Sequence, residues 1–454
     1  MRYLPHTDHT RCEMLDTIGV ASIDDLFEQA GAPLQQPPTS LPPHKSEMEV
    51  EQHLSALSGL NRAAGDGAFF VGCGAYRHHV PASVDHLIQR SEFLTSYTPY
   101  QPEISQGTLQ YLFEFQTQVA NLLGSEIANA SLYDGSTGSG EAVLMAHRIT
   151  RRKKALLSGN LHPHYAGVVK TLSHMSSFQV EQSEVLPGHS TSQSATADLI
   201  AKIDDETSCV VVQTPDVFGS LYDLREIADA AQAKGALLIA VVTEVVSLGA
   251  IQAPGDMGAD IVIAEGQSIG NGLNFGGPYL GLFACRQKYV RQMPGRVCGE
   301  TIDADGKRGF VLTLSTREQH IRREKATSNI CTNSGLCCLA FSIHMTLLGE
   351  LGLKKLAKLN HAKAVQLSKA LAEIEGVEVI NQSFFNEFTI RLSKPAEPIV
   401  EALASKNILA GVPASRLWPD QKPLDNLLML AATETVSDAH IEELCTGLKE
   451  VLDA

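Results

Sequence analysis

CVVVQ at residues 209–213 and ALLIAVV at residues 236–242 are two short apolar runs on either side of an amphipathic segment. Runs of this length, rich in β-branched residues, are typical of strands that are buried on both faces. The segment between them, Leu224–Ala233, has the apolar spacing of a helix. Further strands are predicted at residues 261–264 and 279–283. Strands that alternate with helices predict an α/β domain with a mostly parallel sheet.

The remaining sequence predicts two smaller parts around this domain. A chain of 454 residues is longer than one ordinary domain. Residues 1–66 predict an N-terminal helical arm, with one helix beginning near Ser46. Residues 67–333 form the predicted large domain, and residues 334–454 predict a small α+β C-terminal domain. The elements predicted in that last part are helices near 335–351, 354–373 and 399–405 and strands near 377–380 and 387–392.

Composition limits the partners and the compartment. The formal net charge is -15, so no basic surplus is available to bind nucleic acid or an anionic membrane. The nine cysteines are odd in number and show no CxxC spacing. This pattern indicates reduced thiols in a cytoplasmic protein and no metal site. The first residues contain no signal peptide, and no stretch of about 18 uninterrupted apolar residues follows.

YDGSTGSGEA at residues 133–142 is the first motif that could carry chemistry. Small residues precede a helix that we expect to begin at about Gly140. Free N–H groups at a helix N-terminus bind anions, and Ser136, Thr137 and Ser139 can add hydroxyl donors. The motif therefore predicts a phosphate cradle. The alternative is a tight turn that caps a helix and binds nothing.

SYTPYQPEISQGTLQ at residues 96–110 sets Tyr97 and Tyr100 among prolines on an extended segment. Rigid aromatic side chains with a polar tip suit a substrate pocket or a subunit interface. The alternative is a structural turn over the core.

TREQHIRREKATSNICTN at residues 316–333 combines a basic half with a polar half. The basic half is typical of a solvated helix face. In the polar half, Thr327 and Asn329 are candidates for binding phosphate or for capping the next helix.

The sequence around the later strands lacks a residue that pyridoxal-phosphate enzymes need. In the aspartate-aminotransferase-like fold, a carboxylate at a strand end pairs with the pyridinium nitrogen, and a later lysine forms the Schiff base. Glu244 directly follows ALLIAVVT and could take the first role. No lysine occurs between Lys234 and Lys288. Because a Schiff base requires a primary amine, this region cannot supply one.

At these residues the chain resembles the glycine dehydrogenase P-protein family of the glycine cleavage system, in its N-terminal half or separate first subunit. YTPYQPEISQGTLQ and REQHIRREKATSNICTN are long and unusual enough to be specific. The resemblance extends to GAYRHHVP at 74–81, the 134–142 cradle and GQSIG at 266–270. It covers nearly the whole chain.

The resemblance implies an aspartate-aminotransferase-like fold and a shared enzyme. Ser268 falls about where the second half of the family carries its pyridoxal-phosphate lysine, so this chain alone should be inactive. Pyridoxal 5'-phosphate would be held by the partner, glycine dehydrogenase subunit 2. The complete enzyme, by family a heterotetramer, would decarboxylate glycine and pass the aminomethyl group to the lipoyl arm of the H-protein.

For this chain's own residues, the resemblance implies a contribution of loops to the shared active site. Tyr97 and Tyr100 would line the substrate channel or the interface. Thr327 and Asn329 would contact phosphate or the partner.

Three other interpretations remain open from the sequence. A self-sufficient pyridoxal-phosphate enzyme would have to use Lys325, which lies in a polar segment after the sheet. A structural or regulatory paralogue would have no role in an active site. An oxidoreductase would need GNGLNFGG, residues 270–277, as a dinucleotide loop, although the motif lacks the G-x-G-x-x-G spacing. Where relatives tend to have Asp followed by Pro, this chain reads TEVVS, so Glu244 could be structural only.

Overall fold

The computed structural model describes residues 6–28, 42–94, 96–274, 276–330 and 333–454. The chain divides into two units, Met1–Ala63 and Ala64–Ala454. In the first unit the described helices are α1 (Asp8–Ile18), α2 (Asp25–Glu28) and α3 (Glu47–Ser58).

Helix α3 begins where the sequence predicts. The Ser46 hydroxyl accepts from the Glu49 N–H, and the Glu49 carboxylate accepts from the Ser46 N–H at 2.8 Å. This reciprocal capping box satisfies two N–H groups that a helix start leaves free. The predicted helix near Ser46 is therefore confirmed.

The second unit contains the remaining elements. Its helices are α4 (Ala82–Ile88), α5 (Gln106–Leu123), α6 (Gly135–Thr150), α7 (Pro163–Met175), α8 (His189–Ala201), α9 (Arg225–Ala233), α10 (Gln319–Arg322), α11 (Gly335–Ala372), α12 (Ala396–Ser405), α13 (Ala414–Leu417) and α14 (Asp438–Asp453). Its strands are β1 (Ala68–Phe69), β2 (Ile127–Ala128), β3 (Lys154–Leu157), β4 (Gln179–Gln182), β5 (Thr207–Gln213), β6 (Leu237–Val242), β7 (Ile261–Glu265), β8 (Gly281–Cys285), β9 (Val297–Ile302), β10 (Arg308–Thr313), β11 (Val377–Val379), β12 (Glu387–Leu392), β13 (Ile408–Leu409), β14 (Val412–Pro413) and β15 (Leu427–Ala431).

A seven-stranded sheet organises this unit, with strand order β2-β8-β7-β6-β5-β3-β4. Strands β4, β3, β5, β6 and β7 are parallel, and β8 is antiparallel to both of its neighbours. Every residue of β5, β6 and β7 is buried, because helices cover both faces of the sheet. The predicted mostly parallel α/β sheet is confirmed. The carboxyl ends of these strands meet at one edge, where such sheets bind their ligands.

The predicted helices 335–351 and 354–373 form one helical stretch, α11, with a break at Gly349 (φ 57°, ψ -177°). Among the described helices, α11 is long and apolar enough to cross a membrane by length and composition. Its first turns, however, bury Cys338 and Phe341 in the core of the large sheet. Helix α11 is thus accounted for as a core helix.

A second, antiparallel sheet has the order β11-β12-β15-β14 and packs against α12 and α14. The strands predicted near 377–380 and 387–392 are observed as β11 and β12. Strand β1 pairs in parallel with β13, with Ala68 opposite Ile408. An early segment of the unit therefore joins its C-terminal part, while the predicted boundaries at 66/67 and 333/334 stay predictions.

Candidate functional site

The predicted phosphate cradle forms the start of helix α6, but the helix begins at Gly135 and not at Gly140. Asp134 caps it: its Oδ1 atom accepts from the Thr137 N–H and from the Ser136 hydroxyl, both at 2.7 Å. An Asp at the N-cap accepts hydrogen bonds from the first free N–H groups of a helix. This explains why α6 begins at Gly135, directly after Asp134. Ser136 and Thr137 thus take part in the helix cap.

Glu265, at the end of β7, fills the rest of the cradle. Its carboxylate accepts from the N–H groups of Gly135, Gln267 and Leu280 at 3.0, 3.1 and 2.9 Å. Burial raises the pKa of Glu265 to about 8, while the three N–H groups act in the opposite direction. The two carboxyl groups therefore accept from the Gly135 and Thr137 N–H groups and from the Ser136 hydroxyl, three donors of the predicted cradle.

A cavity of about 410 Å³ opens at this edge of the sheet. It is lined by Gly72, Cys73, Gly74, Ala75, Asp134, Ser136, His162, His164, Tyr165, Glu265, Gly276, Tyr279, Val412 and Leu417. His162 keeps a neutral ring, because burial lowers its pKa to about 4. Its Nε2 atom lies 3.1 Å from the carbonyl oxygen of Cys73, to which it donates.

The residues at these strand ends do not fit pyridoxal phosphate bound as a Schiff base. Ser268 is buried in the turn after β7 and has no amine. Three of the cradle donors already serve Asp134 and Glu265. Lys325 is exposed in the turn Arg323–Lys325 and does not line the cavity.

Glu244, the predicted partner of a pyridinium nitrogen, is paired within the chain. Its Oε2 atom lies 2.9 Å from His78 Nε2 and accepts from Asn386 Nδ2 at 3.1 Å. His78 Nδ1 lies 2.9 Å from Oε2 of Glu434. This group was not predicted from the sequence, although His78 belongs to the GAYRHHVP motif. His162 was not predicted either, and its signal is the polar run HPH directly after LSGNL.

A second candidate region joins the two long polar motifs. Arg296, which is 6% exposed, lies with its guanidinium 5.4 Å from the centre of the Tyr100 ring. Its Nη1 atom donates to the Thr98 hydroxyl, and its Nε atom lies 3.5 Å from Glu318 Oε2. Thr98 and Tyr100 belong to the 96–110 segment, and Glu318 belongs to the 316–333 segment. The structure therefore brings the two motifs together around one buried cation.

The candidate residues of these motifs have different environments. Tyr97 and Tyr100 are 84% and 68% exposed, and Leu94 and Ile104 beside them are 63% and 76% exposed. Large apolar side chains exposed together mark interaction surfaces.

In the polar half of the second motif, backbone bonds hold the turn. Thr327 donates its N–H to the Arg317 carbonyl at 2.9 Å, and the Asn329 carbonyl accepts from Gln319 at 3.0 Å. The Asn329 residue is exposed, and Thr327 is partly buried.

The sheet order, the cavity at the strand ends and the second small sheet define the class of protein. This is the aspartate-aminotransferase-like fold of pyridoxal-phosphate enzymes. Glutamate decarboxylase of Lactobacillus brevis, at 12% identity, superposes with a TM-score of 0.68 over 94% of this chain and 97% of its own.

The model of the "Glycine cleavage system P-protein" family matches residues 1–448, and the chain belongs to this family. It is 63% identical over 454 residues to the "Probable glycine dehydrogenase (decarboxylating) subunit 1" of Parvibaculum lavamentivorans, covering 100% of both chains. A crystal structure of an inhibitor-bound glycine decarboxylase (P-protein) of the glycine cleavage system is 40% identical, with a TM-score of 0.89 and full coverage of both chains. The fold and the family expected from the sequence are confirmed.

Proposed function

We propose that this chain is the first subunit of a glycine dehydrogenase (decarboxylating) and completes an active site whose cofactor is held by a second subunit. One observation carries the proposal: a chain that the P-protein family model matches over residues 1–448 has no lysine between Lys234 and Lys288. The carboxyl groups of Asp134 and Glu265 bind N–H groups of the cradle, which also supports a cofactor held by the second subunit. Pyridoxal phosphate would supply the electron sink for decarboxylation on subunit 2.

In the complete enzyme, glycine would lose carbon dioxide and its aminomethyl group would pass to the lipoyl arm of the H-protein. We assign the face around Tyr97 and Tyr100 to the contact with subunit 2 or to the substrate channel. The exposure of Leu94 and Ile104 supports a covered surface there. Thr327 and Asn329 would contact phosphate or the partner from the adjoining motif, with Arg296 holding the two segments together.

The assembly that fits this proposal is a heterotetramer with two copies of each subunit, located in the cytoplasm. The eight cysteines that the structure describes are all free thiols, which supports a reducing compartment.

Reconstitution tests the proposal. The chain, subunit 2, pyridoxal phosphate, lipoylated H-protein and carboxyl-labelled glycine are mixed, and exchange of label with bicarbonate is followed. We expect exchange only when both subunits are present, and borohydride reduction should fix the cofactor on subunit 2 alone. A reduced adduct on a lysine of this chain, with exchange by this chain alone, would contradict the proposal in favour of a self-sufficient enzyme.

A further inference from the structure

Residues Gly72–His79 run along the carboxyl edge of the large sheet, and we call them the crossing segment. Gly72–Ala75 line the cavity at the strand ends. The residues that follow contact the two positions predicted to match those where this fold class handles its cofactor. These are the carboxylate after β6, Glu244, and the turn after β7 that contains Ser268.

The first contact is a reciprocal pair of amide hydrogen bonds. Tyr76 donates its N–H to Gln267 Oε1 at 3.0 Å, and Gln267 Nε2 donates to the Tyr76 carbonyl at 3.0 Å. Gln267 directly precedes Ser268. The hydroxyl of Tyr76 donates to Glu387 Oε2, at the start of β12, at 2.7 Å. The backbone and side chain of one residue thus link the turn after β7 to the small sheet.

The second contact is the ring of His78, whose two nitrogens face carboxylates. Nε2 lies 2.9 Å from Glu244 and Nδ1 lies 2.9 Å from Glu434, and the side chains are 2%, 2% and 11% exposed. We assign the ring as an imidazolium, because only that form donates from both nitrogens to two ionised carboxylates. Burial opposes the charge, but the two carboxylates outweigh it and raise the pKa of His78 to about 10.

Both carboxylates are themselves held in place. Asn386 donates to Glu244 at 3.1 Å, and Asn360 on α11 donates to Glu434 at 3.0 Å. The His79 N–H donates to the other oxygen of Glu434 at 2.6 Å. A position for one flat cation is therefore preformed between β6 and the residues after β15.

We propose that the crossing segment is an internal substitute for a bound cofactor in this chain. The backbone of Tyr76 forms hydrogen bonds with the side-chain amide of Gln267. The His78 imidazolium pairs with Glu244, as a pyridinium ring pairs with a carboxylate elsewhere in this fold class. The segment holds the two sheets together without a ligand and blocks this half from taking a cofactor. The proposal concerns the chain alone and does not depend on the glycine reaction.

Chemical rescue of His78→Gly tests this substitution in the full-length chain without subunit 2. Removing the ring leaves two buried carboxylates without their cation, and we expect the apparent Tm to fall by about 5 °C. Millimolar imidazole at pH 7 should restore most of that loss, since its imidazolium form can donate to both carboxylates. The 1,3-dimethylimidazolium ion has the same charge but no N–H group, and should restore none.

Wild type and His164→Gly are the controls. His164 is exposed and has no carboxylate partner among the described hydrogen bonds and ion pairs, so imidazole should leave the Tm of both proteins unchanged. A His78→Gly chain as stable as wild type, or a loss that imidazole does not restore, would overturn the proposal.

If His78→Gly does not fold, the protonation state of His78 in the wild-type chain tests the proposal instead. In ¹H–¹⁵N spectra of the histidine-labelled chain, His78 should keep both ring N–H protons at pH 8. A neutral His78 ring at that pH would overturn the proposal.

Discussion

The guanidinium of Arg296 lies 5.4 Å from the ring centre of Tyr100, over its face. This contact links a residue of the YTPYQP motif to a cation that is also bonded to the REQHIRREK motif through Glu318. Cation–π contacts contribute modestly, about 1 kcal/mol, but here the cation is buried and has two further partners. The geometry of the proposed subunit face therefore depends on Arg296.

Replacing Arg296 by Met should destabilise the chain by about 3 kcal/mol, because Glu318 and Thr98 lose a buried partner. The measurement is the urea midpoint of the isolated chain. Arg308→Met is the matched control: Arg308 pairs with Glu300 at 2.8 Å, but the side chains are 61% and 50% exposed. Such a surface pair contributes less than about 1 kcal/mol. Equal effects of the two substitutions would show that Arg296 does not organise the face.

Tyr97→Phe should lower turnover of the assembled enzyme without changing the fold of this chain. The hydroxyl is exposed, so its loss should change stability by less than about 0.5 kcal/mol. One lost hydrogen bond to substrate or partner corresponds to roughly a tenfold change in rate or affinity. The readouts are glycine–bicarbonate exchange and the affinity for subunit 2.

Tyr289→Phe, at a partly buried tyrosine after β8, is the control and should leave both readouts unchanged. A Tyr97→Phe enzyme with full turnover would contradict a role in the channel. Weaker assembly with full turnover would leave Tyr97 as an interface residue only.

The pH dependence of stability should reveal the His78 ion pairs. The pKa of His78 is raised from 6.5 to about 10 on folding. Because the folded state binds this proton more tightly, the contribution is complete below pH 6.5 and is lost as pH rises towards 10. His78→Gln should therefore cost about 4 kcal/mol at pH 6 and progressively less at higher pH.

Other titrating groups near His78 are present in both proteins, but the pKa values of Glu434 and His344 depend partly on His78, so the difference reports the imidazole together with its coupling to these groups. His344 has its pKa lowered to about 4, Glu434 to about 2, and Glu387 has its pKa raised to about 7 by burial. His79 also faces this cluster through its N–H bond to Glu434. The check is a series of urea midpoints from pH 6 to pH 9.5, and a constant difference across that range would contradict the assignment.

Local patterns in the sequence predicted the elements but not their long-range partners. Strands β5 and β6 and the helix cap at Ser46 depend on residues that are close in the sequence. Periodicity and composition can therefore predict them. The bond from His78 to Glu434 spans 356 residues. No periodicity encodes such a pair, and GAYRHHVP is informative only through its resemblance to a family.

The cradle shows a different limit of the sequence. YDGSTGSGEA has the composition of an anion site, but the sequence cannot tell whether its donors face a ligand or carboxyl groups of the same chain. Asp134 lies within the motif, and Glu265 reaches it from β7, 130 residues away. Likewise, the hairpin of β9 and β10 was not predicted, because its strands are half exposed and lack a clear apolar alternation.

Gly72→Ala should disrupt the crossing segment through packing alone. An added Cβ would lie 2.4 Å from Glu387 Oε1, 2.6 Å from the Ala431 Cβ and 2.9 Å from the Tyr76 ring. Two of these groups belong to the small sheet, and Tyr76 is buried, so the strain cannot relax into solvent. We expect a loss of about 1–3 kcal/mol in the free energy of unfolding, the usual cost of overpacking.

Gly107→Ala provides the matched control for Gly72→Ala. Gly107 lies in the first turn of α5, where a Cβ would meet nothing within 4 Å. Alanine should be neutral there or stabilise the helix by up to about 1 kcal/mol, because it restricts the unfolded chain more than glycine does. The readout is the urea midpoint of each variant, together with hydrogen exchange at the Tyr76 N–H, which Gln267 protects. Faster exchange in Gly72→Ala but not in Gly107→Ala is expected. Unchanged exchange in both would mean that the segment stays in place without its close packing on Glu387, so that the hydrogen bonds of Tyr76 and the ion pairs of His78 are enough to hold it.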